Sequence, residues 1–369
     1  MRLTVERDAL LAATRVSRAI IDRKNIIPIL ANVHLGAMDG DLCLTATNLD
    51  MQYLNTVAAE VIERGVVTVP GEPLHQFLHR APAGAQVEIA LDGTTCTLKA
   101  GRARFELPTL PPGDFPMMSV RGEGAKVAID PEALARVLSV PQFAAGRGDS
   151  RQYLNGIYLH ASPAETLRGV ATNGHLLCYQ DVALPEGGKA LPGVIVSLRT
   201  CQALQTLLDG ASEARLTTTE EAIIVEAGEA QLTSKVINGQ YPDYARTIPI
   251  KAGAERHLSA SALQAAVDLV SSAGDGGDQM VSLSFEGGEL RVHARSTNKS
   301  ATASQSIDCT SEDAGAFTIA FRASYLLEIC KCLRGGDDLV LTTNGAGEVS
   351  RFSAPERDDL LIVAMPIRI

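Results

Sequence analysis

Aromatic residues make up only 4% of the chain and none of them is tryptophan. Its core must therefore be built from Val, Leu, Ile and Ala, which argues against an aromatic cage or indole platform for a ligand. Long apolar runs are also missing: no stretch reaches the ~18 uncharged apolar residues of a spanning helix. The opening MRLTVERDAL reads as a strand entering a helix rather than as a signal peptide. A cytoplasmic protein with no membrane contact is the expectation. The seven cysteines are an odd number and include no C-x-x-C pair, so buried, reduced thiols are expected in place of a metal site or disulfide framework. Positive charge is in deficit, with 33 Lys and Arg against 43 Asp and Glu and a net charge of −10. That excludes a uniformly basic nucleic-acid coat and a polybasic membrane anchor, and leaves a local basic surface open.

The familiar catalytic signatures are absent as well. There is no G-x-x-x-x-G-K-[ST], no G-x-G-x-x-G, no H-E-x-x-H and no G-x-S-x-G. His75 and His79, four apart in a helical pattern, could face one metal, but no third ligand is apparent nearby and they read as solvated positions. Asp275, Asp278 and the pair Asp337-Asp338 lie in or beside Gly-rich turns and read as solvated loops. The string GRGDS at 146–150 matches a cell-adhesion peptide and reads here as a Gly-rich loop. No catalytic residue, metal or cofactor is expected.

What the chain does contain is repetition. Its 369 residues are three times 123, a comfortable domain size, and 46% hydrophobic content is enough to bury cores. Ala46-Thr47-Asn48 recurs as Ala171-Thr172-Asn173, and a Thr-Asn pair returns at Thr297-Asn298, both at intervals of 125. Four further sets of anchors keep nearly that interval. A strand runs into a helix at 3–20, 127–140 and 257–272, and again at 66–81, 194–208 and 317–333. A late strand follows at 103–110, 230–237 and 360–367, and a proline closes each unit at Pro116, Pro242 and Pro366. Each unit reads as β-α-β-β-β twice over, an α+β fold of antiparallel sheets with helices on one face. Helix one places Leu10, Leu11, Val16 and Ile20 on one side, with Arg7, Arg15 and Arg18 elsewhere.

Three open-edged units in a row leave an unpaired strand at each end, which a closed head-to-tail oligomer would pair. Two chains would make a ring of six units with helices lining one side. Those helical segments carry Arg7, Arg15, Arg18, Arg23 and Lys24, then Arg136, Arg147 and Arg199, then Arg322, Lys331 and Arg334. A basic helical face on an acidic chain points to a polyanion there.

The threefold repeat, with RQYLNGIYLH (151–160), GVATNGHLL (169–177), NGQYPDYARTIP (238–249), FRASYLLEICKCL (321–333) and VAMPIRI (363–369), resembles the bacterial DNA polymerase III beta subunit family, the replicative sliding clamps. The match spans the whole chain. The resemblance implies three clamp domains, at 1–120, 121–250 and 251–369, and a head-to-tail homodimer of six domains. It implies a ring around duplex DNA, bound without sequence preference, that tethers a polymerase and has no chemistry of its own. The implied partners are the DNA polymerase III alpha subunit, the clamp loader and other proteins with a clamp-binding motif.

The family's peptide-binding pocket carries over to Arg151, Tyr153 and Leu154, then Thr172, Gly174, His175, Leu176 and Leu177. Pro242, Arg246 and Thr247 follow, with Val363, Met365, Pro366, Ile367, Arg368 and Ile369 at the end of the chain. An apolar groove with a few polar guides suits an extended peptide with leucine and phenylalanine anchors.

Three departures stand out. Leu176 replaces a usual arginine, so one polar guide of the pocket is missing and peptide preference shifts. Glu72-Pro73 replaces a commonly basic pair, which leaves Lys24, Arg147 and Arg199 as the DNA-binding candidates. Arg102, Arg104 and Phe105 match the first-domain side of the dimer interface, but the partner strand STNKSATAS (296–304) offers no acidic residue to those arginines. Dimer closure is therefore expected to rest on edge-strand hydrogen bonds and apolar contact. Two rival readings are a peptide-binding repeat scaffold that never encircles DNA, and a cytosolic enzyme with a site between repeats around His175 or Asp243.

Overall fold

The structure, a computed structural model, describes residues 1–22, 26–119, 124–249, 253–273, 279–295, 301–311, 315–333 and 338–368. The first copy runs β1 (Arg2–Glu6), α1 (Arg7–Ile20), β2 (Asn32–Met38), β3 (Asp41–Thr47) and β4 (Met51–Glu63). It continues with β5 (Gly65–Pro70), α2 (Gly71–Arg80), β6 (Gln86–Asp92), β7 (Thr95–Ala100) and β8 (Ala103–Pro108). The second runs β9 (Ala125–Ile129), α3 (Pro131–Ser139), β10 (Gly156–Ala161), β11 (Thr166–Thr172) and β12 (Leu176–Ala183). Then come β13 (Val194–Ser197), α4 (Leu198–Leu208), β14 (Ala214–Thr218), β15 (Ala222–Ala227) and β16 (Ala230–Lys235). The third runs β17 (Ala254–Ser259), α5 (Ala260–Ser271), β18 (Met280–Glu286), β19 (Glu289–Arg295) and β20 (Thr302–Asp308), with a two-residue β21 (Thr310–Ser311). It ends with β22 (Phe317–Arg322), α6 (Ala323–Leu333), β23 (Asp338–Thr343), β24 (Ser350–Ser353) and β25 (Leu360–Ala364). Each copy is β-α-β-β-β twice, as the sequence pattern indicates.

The chain forms two compact units: Met1–Ser139 with Leu159–Leu167 and Ala183–Asn238, and Val140–Tyr158 with Arg168–Val182 and Gly239–Ile369. In the first unit the ladder β8-β7-β6-β1-β4-β16-β15-β14-β9 is antiparallel at every pairing given, and a branch β3-β2-β5 joins it through the pairing of β3 with β4. The long strand β4 makes this possible. Its second half pairs with β1 (Val5↔Ala59) and its first half with β16 of the next copy (Ser234↔Met51). In the second unit β12 pairs with β25 in the same way (Leu176↔Ala364), and β18, β19, β20 and β22 form a separate four-stranded sheet.

Local chemistry explains the helix boundaries. Glu6 caps α1 by accepting a hydrogen bond from the Ala9 amide at 2.8 Å, and Ser197 and Ser259 cap α4 and α5 in the same way. Each helix buries one stripe: Leu10, Leu11, Val16 and Ile20 in α1, and Leu263, Ala266, Val267 and Val270 in α5. Among the cysteines Cys96, Cys178, Cys201, Cys309 and Cys330 are buried, Cys43 and Cys332 half-buried, and all are free. Burial pushes the Cys96 thiol up to about 11 and Cys332 up to about 12, which keeps them protonated.

His75 departs from the solvated position expected of it. It is 7% exposed, its Nδ1 shares a 2.9 Å hydrogen bond with the buried hydroxyl of Thr14 on α1, and its ring stacks on His79 at 6.1 Å. His75 therefore serves helix packing between α1 and α2, while His79 is exposed, as expected of it. Asp275, Asp278 and Asp337 lie outside the described residues, while Asp338 faces His257 at 3.5 Å.

Burial, aided by Arg18, holds the His75 pKa below the ordinary 6.5, and burial does the same for His34. A histidine with a lowered folded pKa binds fewer protons folded than unfolded. The stability it leaves intact at pH 7–8 is therefore lost as pH falls below about 6.5 towards the folded value. Urea midpoints should be level from about pH 8 to 7 and decline from about 6.5 to 5, above the range where paired carboxylates titrate. His75→Gln, which can keep a bond to Thr14, should shallow that decline. Identical slopes for parent and variant would contradict the assignment.

Candidate functional site

The Thr-Asn repeat folds into one hydrogen-bonded turn used twice. In the first copy the Thr47 hydroxyl donates to the Met51 carbonyl at 2.8 Å and accepts from the Leu49 amide. The Asn48 side-chain oxygen accepts from the amides of Asp50 and Met51. In the second copy the Thr172 hydroxyl donates to the Leu176 carbonyl at 2.8 Å and accepts from the Gly174 amide. Asn173 accepts from the amides of His175 and Leu176, both at 2.9 Å. The turn needs a positive φ at its centre, and Gly174 supplies it at +91°, where the first copy has Leu49 at +75°. Thr297-Asn298 of the third copy lies outside the described residues.

The second of these turns borders a pocket of about 430 Å³ lying wholly within the second unit. Leu154, Leu176, Leu177 and Val363 form an apolar lining, each under 5% exposed, while Met365 stands 47% exposed at the margin. The β12–β25 ladder sets the positions of Leu177 and Val363 directly opposite one another, and the Met365 amide extends it by donating to the His175 carbonyl at 2.8 Å. Pro242, Asp243, Tyr244, Arg246 and Thr247 contribute one wall from a short turn in the connector after the second copy. Arg168 steadies that wall. Its guanidinium binds both carboxylate oxygens of Asp181 at 2.7 and 2.6 Å, lies 3.6 Å from the Tyr179 ring centroid and reaches the Tyr244 hydroxyl at 3.5 Å.

Charge in the pocket is paired within the chain. Arg151 binds Asp149 through Nε at 3.1 Å and NH2 at 2.8 Å, which holds the Asp149 carboxyl down at about 2. Arg246 faces Asp243 at 2.7 Å. Filling such a lining with one leucine or phenylalanine side chain is worth about 1.5–3 kcal/mol, so the pocket suits an extended apolar ligand held by a few hydrogen bonds.

The structure thus brings together Arg151, Tyr153, Leu154, Thr172, Gly174, His175, Leu176, Leu177, Pro242, Arg246, Thr247, Val363 and Met365. Pro366, Ile367 and Arg368 do not line the pocket. The Ile367 amide donates to Ala320 in β22 at 2.7 Å, which draws the chain end away. Ile369 lies outside the described residues. Asp243, named in the sequence only for the enzyme reading, and Tyr244 and Val349, not singled out at all, also line the pocket. The first two stand inside the YPDYART block, whereas Val349 comes from the turn before β24, which carries no distinctive sequence. Asp243, one candidate for enzyme chemistry, is held by Arg246, and the other, His175, is exposed on the turn.

Of the basic candidates, Lys24 lies outside the described residues and Arg147 is exposed in the loop after α3. Arg199 is exposed on α4, but its Nη2 donates to the Ile20 carbonyl at the end of α1, at 2.6 Å, so part of its hydrogen-bonding capacity serves helix packing. The helical arginines are less free than their count suggests. Arg7 donates to the carbonyls of Leu78 and His79 and pairs with Asp8, and Arg18 pairs with Glu72 at 3.0 Å.

The interface candidates Arg102, Arg104 and Phe105 lie on or beside β8, which among the described residues is an edge strand paired with β7. Arg104 has its acidic partner on its own strand, Glu106 at 2.7 Å, and Phe105 stacks on Phe77 of α2 at 5.7 Å. Residues 296–300 of the expected partner strand lie outside the described residues. The following β20 is the edge of its sheet.

Three family models match in succession: the N-terminal domain of the DNA polymerase III beta subunit at residues 1–119, its central domain at 128–243 and its C-terminal domain at 245–368. The beta sliding clamp of Caulobacter vibrioides is 36% identical over 91% of both chains, and that of Escherichia coli K12 is 30% identical over the whole of both. Among solved structures, the Caulobacter crescentus pol III beta superposes with a TM-score of 0.93 at 34% identity. A sliding clamp from Bartonella birtlesii bound to griselimycin does so with 0.94 at 29%, each covering both chains fully.

Asn173 supports the pocket turn with two accepted bonds and a third donated to the Tyr325 hydroxyl at 3.2 Å. Asn173→Ala should therefore cost about 1–2 kcal/mol in urea unfolding. Asn48→Ala should cost a similar amount, because the first-copy turn uses the same two accepted bonds. A midpoint unchanged in both variants would show that the turn is held by something else.

Proposed function

The chain belongs to the DNA polymerase III beta subunit family, and on that premise we propose that two copies close head to tail into a six-domain ring around duplex DNA. It is a sliding clamp, a non-catalytic processivity factor that holds a polymerase to its template.

The observation that carries the ring is the repeated junction. The fourth strand of the first copy, β4, pairs with the last strand of the second, β16, and β12 of the second copy pairs with β25 of the third. The same pairing leaves two strands over: β20, the counterpart of β4 and β12, and β8, the counterpart of β16 and β25. Both are sheet edges. Pairing β8 of one chain with β20 of another uses the junction a third time and satisfies both edges. Domains of 1–120, 121–250 and 251–369 place their boundaries in the connectors that follow Pro116 and Pro242.

On this reading Lys24, Arg147 and Arg199 contact phosphates, weakly and without reading bases, so the grip is topological and the ring slides. The pocket of the second unit receives short peptide segments from the polymerase III alpha subunit, the clamp loader and other partners. Arg151, His175, Arg246 and Thr247 guide the peptide, and the apolar lining takes its anchors. The work is that of a cytoplasmic protein.

Loaded protein should remain on nicked circular DNA and leave when the circle is cut, as gel filtration of the complex would record. Equal loss from both forms would end the ring reading. The dimer should also resist salt, because Arg104 is already paired with Glu106 and the contact rests on backbone hydrogen bonds and Phe105. Sedimentation at about 0.05 M and about 1 M NaCl should give the same dimer fraction. Dissociation at the higher salt would assign the interface to ion pairs instead.

A further inference from the structure

The two junctions between copies are built on the same ladder but end differently. The first pairs Met51 with Ser234 through to Asn55 with Ala230, and the second pairs Leu176 with Ala364 through to Gln180 with Leu360. At the end beside the Thr-Asn turn they are alike, closed by the Lys235 and Met365 amides at 2.9 and 2.8 Å. At the far end they diverge. The Asp181 amide donates to the Asp359 carbonyl at 2.7 Å, whereas its counterpart, the Thr56 amide, stands 3.4 Å from the Glu229 carbonyl, beyond the ordinary range of such a bond.

Side chains widen the difference. Gln180 is fully buried, and its Nε2 donates across the junction to Oδ2 of Asp359 at 2.6 Å and to the Asp359 carbonyl at 3.2 Å. Arg357 returns the contact. Its Nη2 donates to Oε1 of Gln180 at 3.0 Å while its Nε holds Oδ1 of Asp359 at 2.7 Å. A side chain of the second copy is thus gripped by two residues from the turn between β24 and β25 of the third, and such charge-assisted bonds reinforce one another when linked. The first junction has no equivalent. Asn55, in the place of Gln180, turns back to its own strand and donates to the Tyr53 hydroxyl at 2.8 Å. Glu229, in the place of Asp359, is exposed, and Ala227 stands where the second junction has Arg357. The helical side of the first junction stays joined through Arg199 and the Ile20 carbonyl.

We propose that the chain yields at its first junction and is locked at its second, the lock being a clasp of Gln180, Asp359 and Arg357. The far end of the β4–β16 ladder opens and closes while the helices α1 and α4 remain in contact, and the corresponding end of β12–β25 stays shut. Both junctions lie within one chain, so this difference holds with or without a ring. Where two chains do close into one, bending imposed on the chain is taken up at the first junction, and the second keeps its geometry.

The test is amide hydrogen exchange of the full-length protein, resolved to single residues by electron-transfer fragmentation and corrected for intrinsic rates. In the wild type the Thr56 amide should exchange about tenfold or more faster than the Asp181 amide. Gln180→Leu, which keeps the volume and removes the crossing bonds, should speed Asp181 by about five- to tenfold and leave Thr56 unchanged. Arg357→Met should act in the same direction to a smaller extent. A wild-type ratio under about threefold, or an Asp181 rate that both variants leave unchanged, would overturn the proposal. If Gln180→Leu does not fold, the wild-type ratio and Arg357→Met decide it.

Discussion

Every copy of this fold ends on a strand whose outer backbone groups have no partner inside the copy, and satisfying them organises the rest. An open edge is a row of donors and acceptors that must find another chain, another copy or water. Here the preceding copy supplies it twice. The β4–β16 and β12–β25 ladders are matched down to a shared final bond: the Lys235 amide donates to the Asp50 carbonyl at 2.9 Å, and the Met365 amide to the His175 carbonyl at 2.8 Å. Because these are backbone bonds, they survive extensive divergence of side chains. The three copies can thus share little beyond a Thr-Asn turn, a proline and a strand order while keeping one junction.

The Thr-Asn turn is where that junction becomes a site. In both copies threonine and asparagine fix the turn through bonds to its own backbone, so the residues at its tip are free to vary. Ring pairs at corresponding positions recur too, with His34 on Phe115 at 5.3 Å in the first copy and Tyr158 on Tyr241 at 4.9 Å in the second. The frame is common and the side chains on it differ, so binding capacity can be present in one copy and changed in another without altering the fold.

Much of the fold was legible because strand and helix periods are local properties. The alternation of Leu42, Leu44 and Ala46 and the one-sided stripe of Leu10, Leu11, Val16 and Ile20 both declare buried faces, and all of these residues are buried. The 125-residue interval then exposed the repeat. Less legible were features that depend on a distant partner. His75 reads as a surface residue until Thr14 is placed against it, and Arg199 reads as a free cation until the Ile20 carbonyl arrives. Within the pocket, residues in distinctive blocks could be named in advance, whereas Val349 lies in an undistinguished turn. The departure of Pro366, Ile367 and Arg368 follows from a bond to Ala320, which lies more than forty residues upstream.

The net charge of −10 acquires a different sense once the paired arginines are followed to their partners. Arg7, Arg18, Arg104, Arg151, Arg168, Arg246 and Arg357 all face carboxylates, and Arg199 a carbonyl. An arginine in such a pair can still donate hydrogen bonds, but its long-range field is largely cancelled. That suits a protein whose hold on DNA is topological. A strongly basic lining would bind phosphates tightly and oppose sliding, while a closed ring needs only contacts that break as readily as they form. The pocket shows the same pairing: Arg151 and Arg246 each hold a carboxylate beside a lining of buried Leu154, Leu176, Leu177 and Val363, so what the lining offers is apolar surface rather than unbalanced charge.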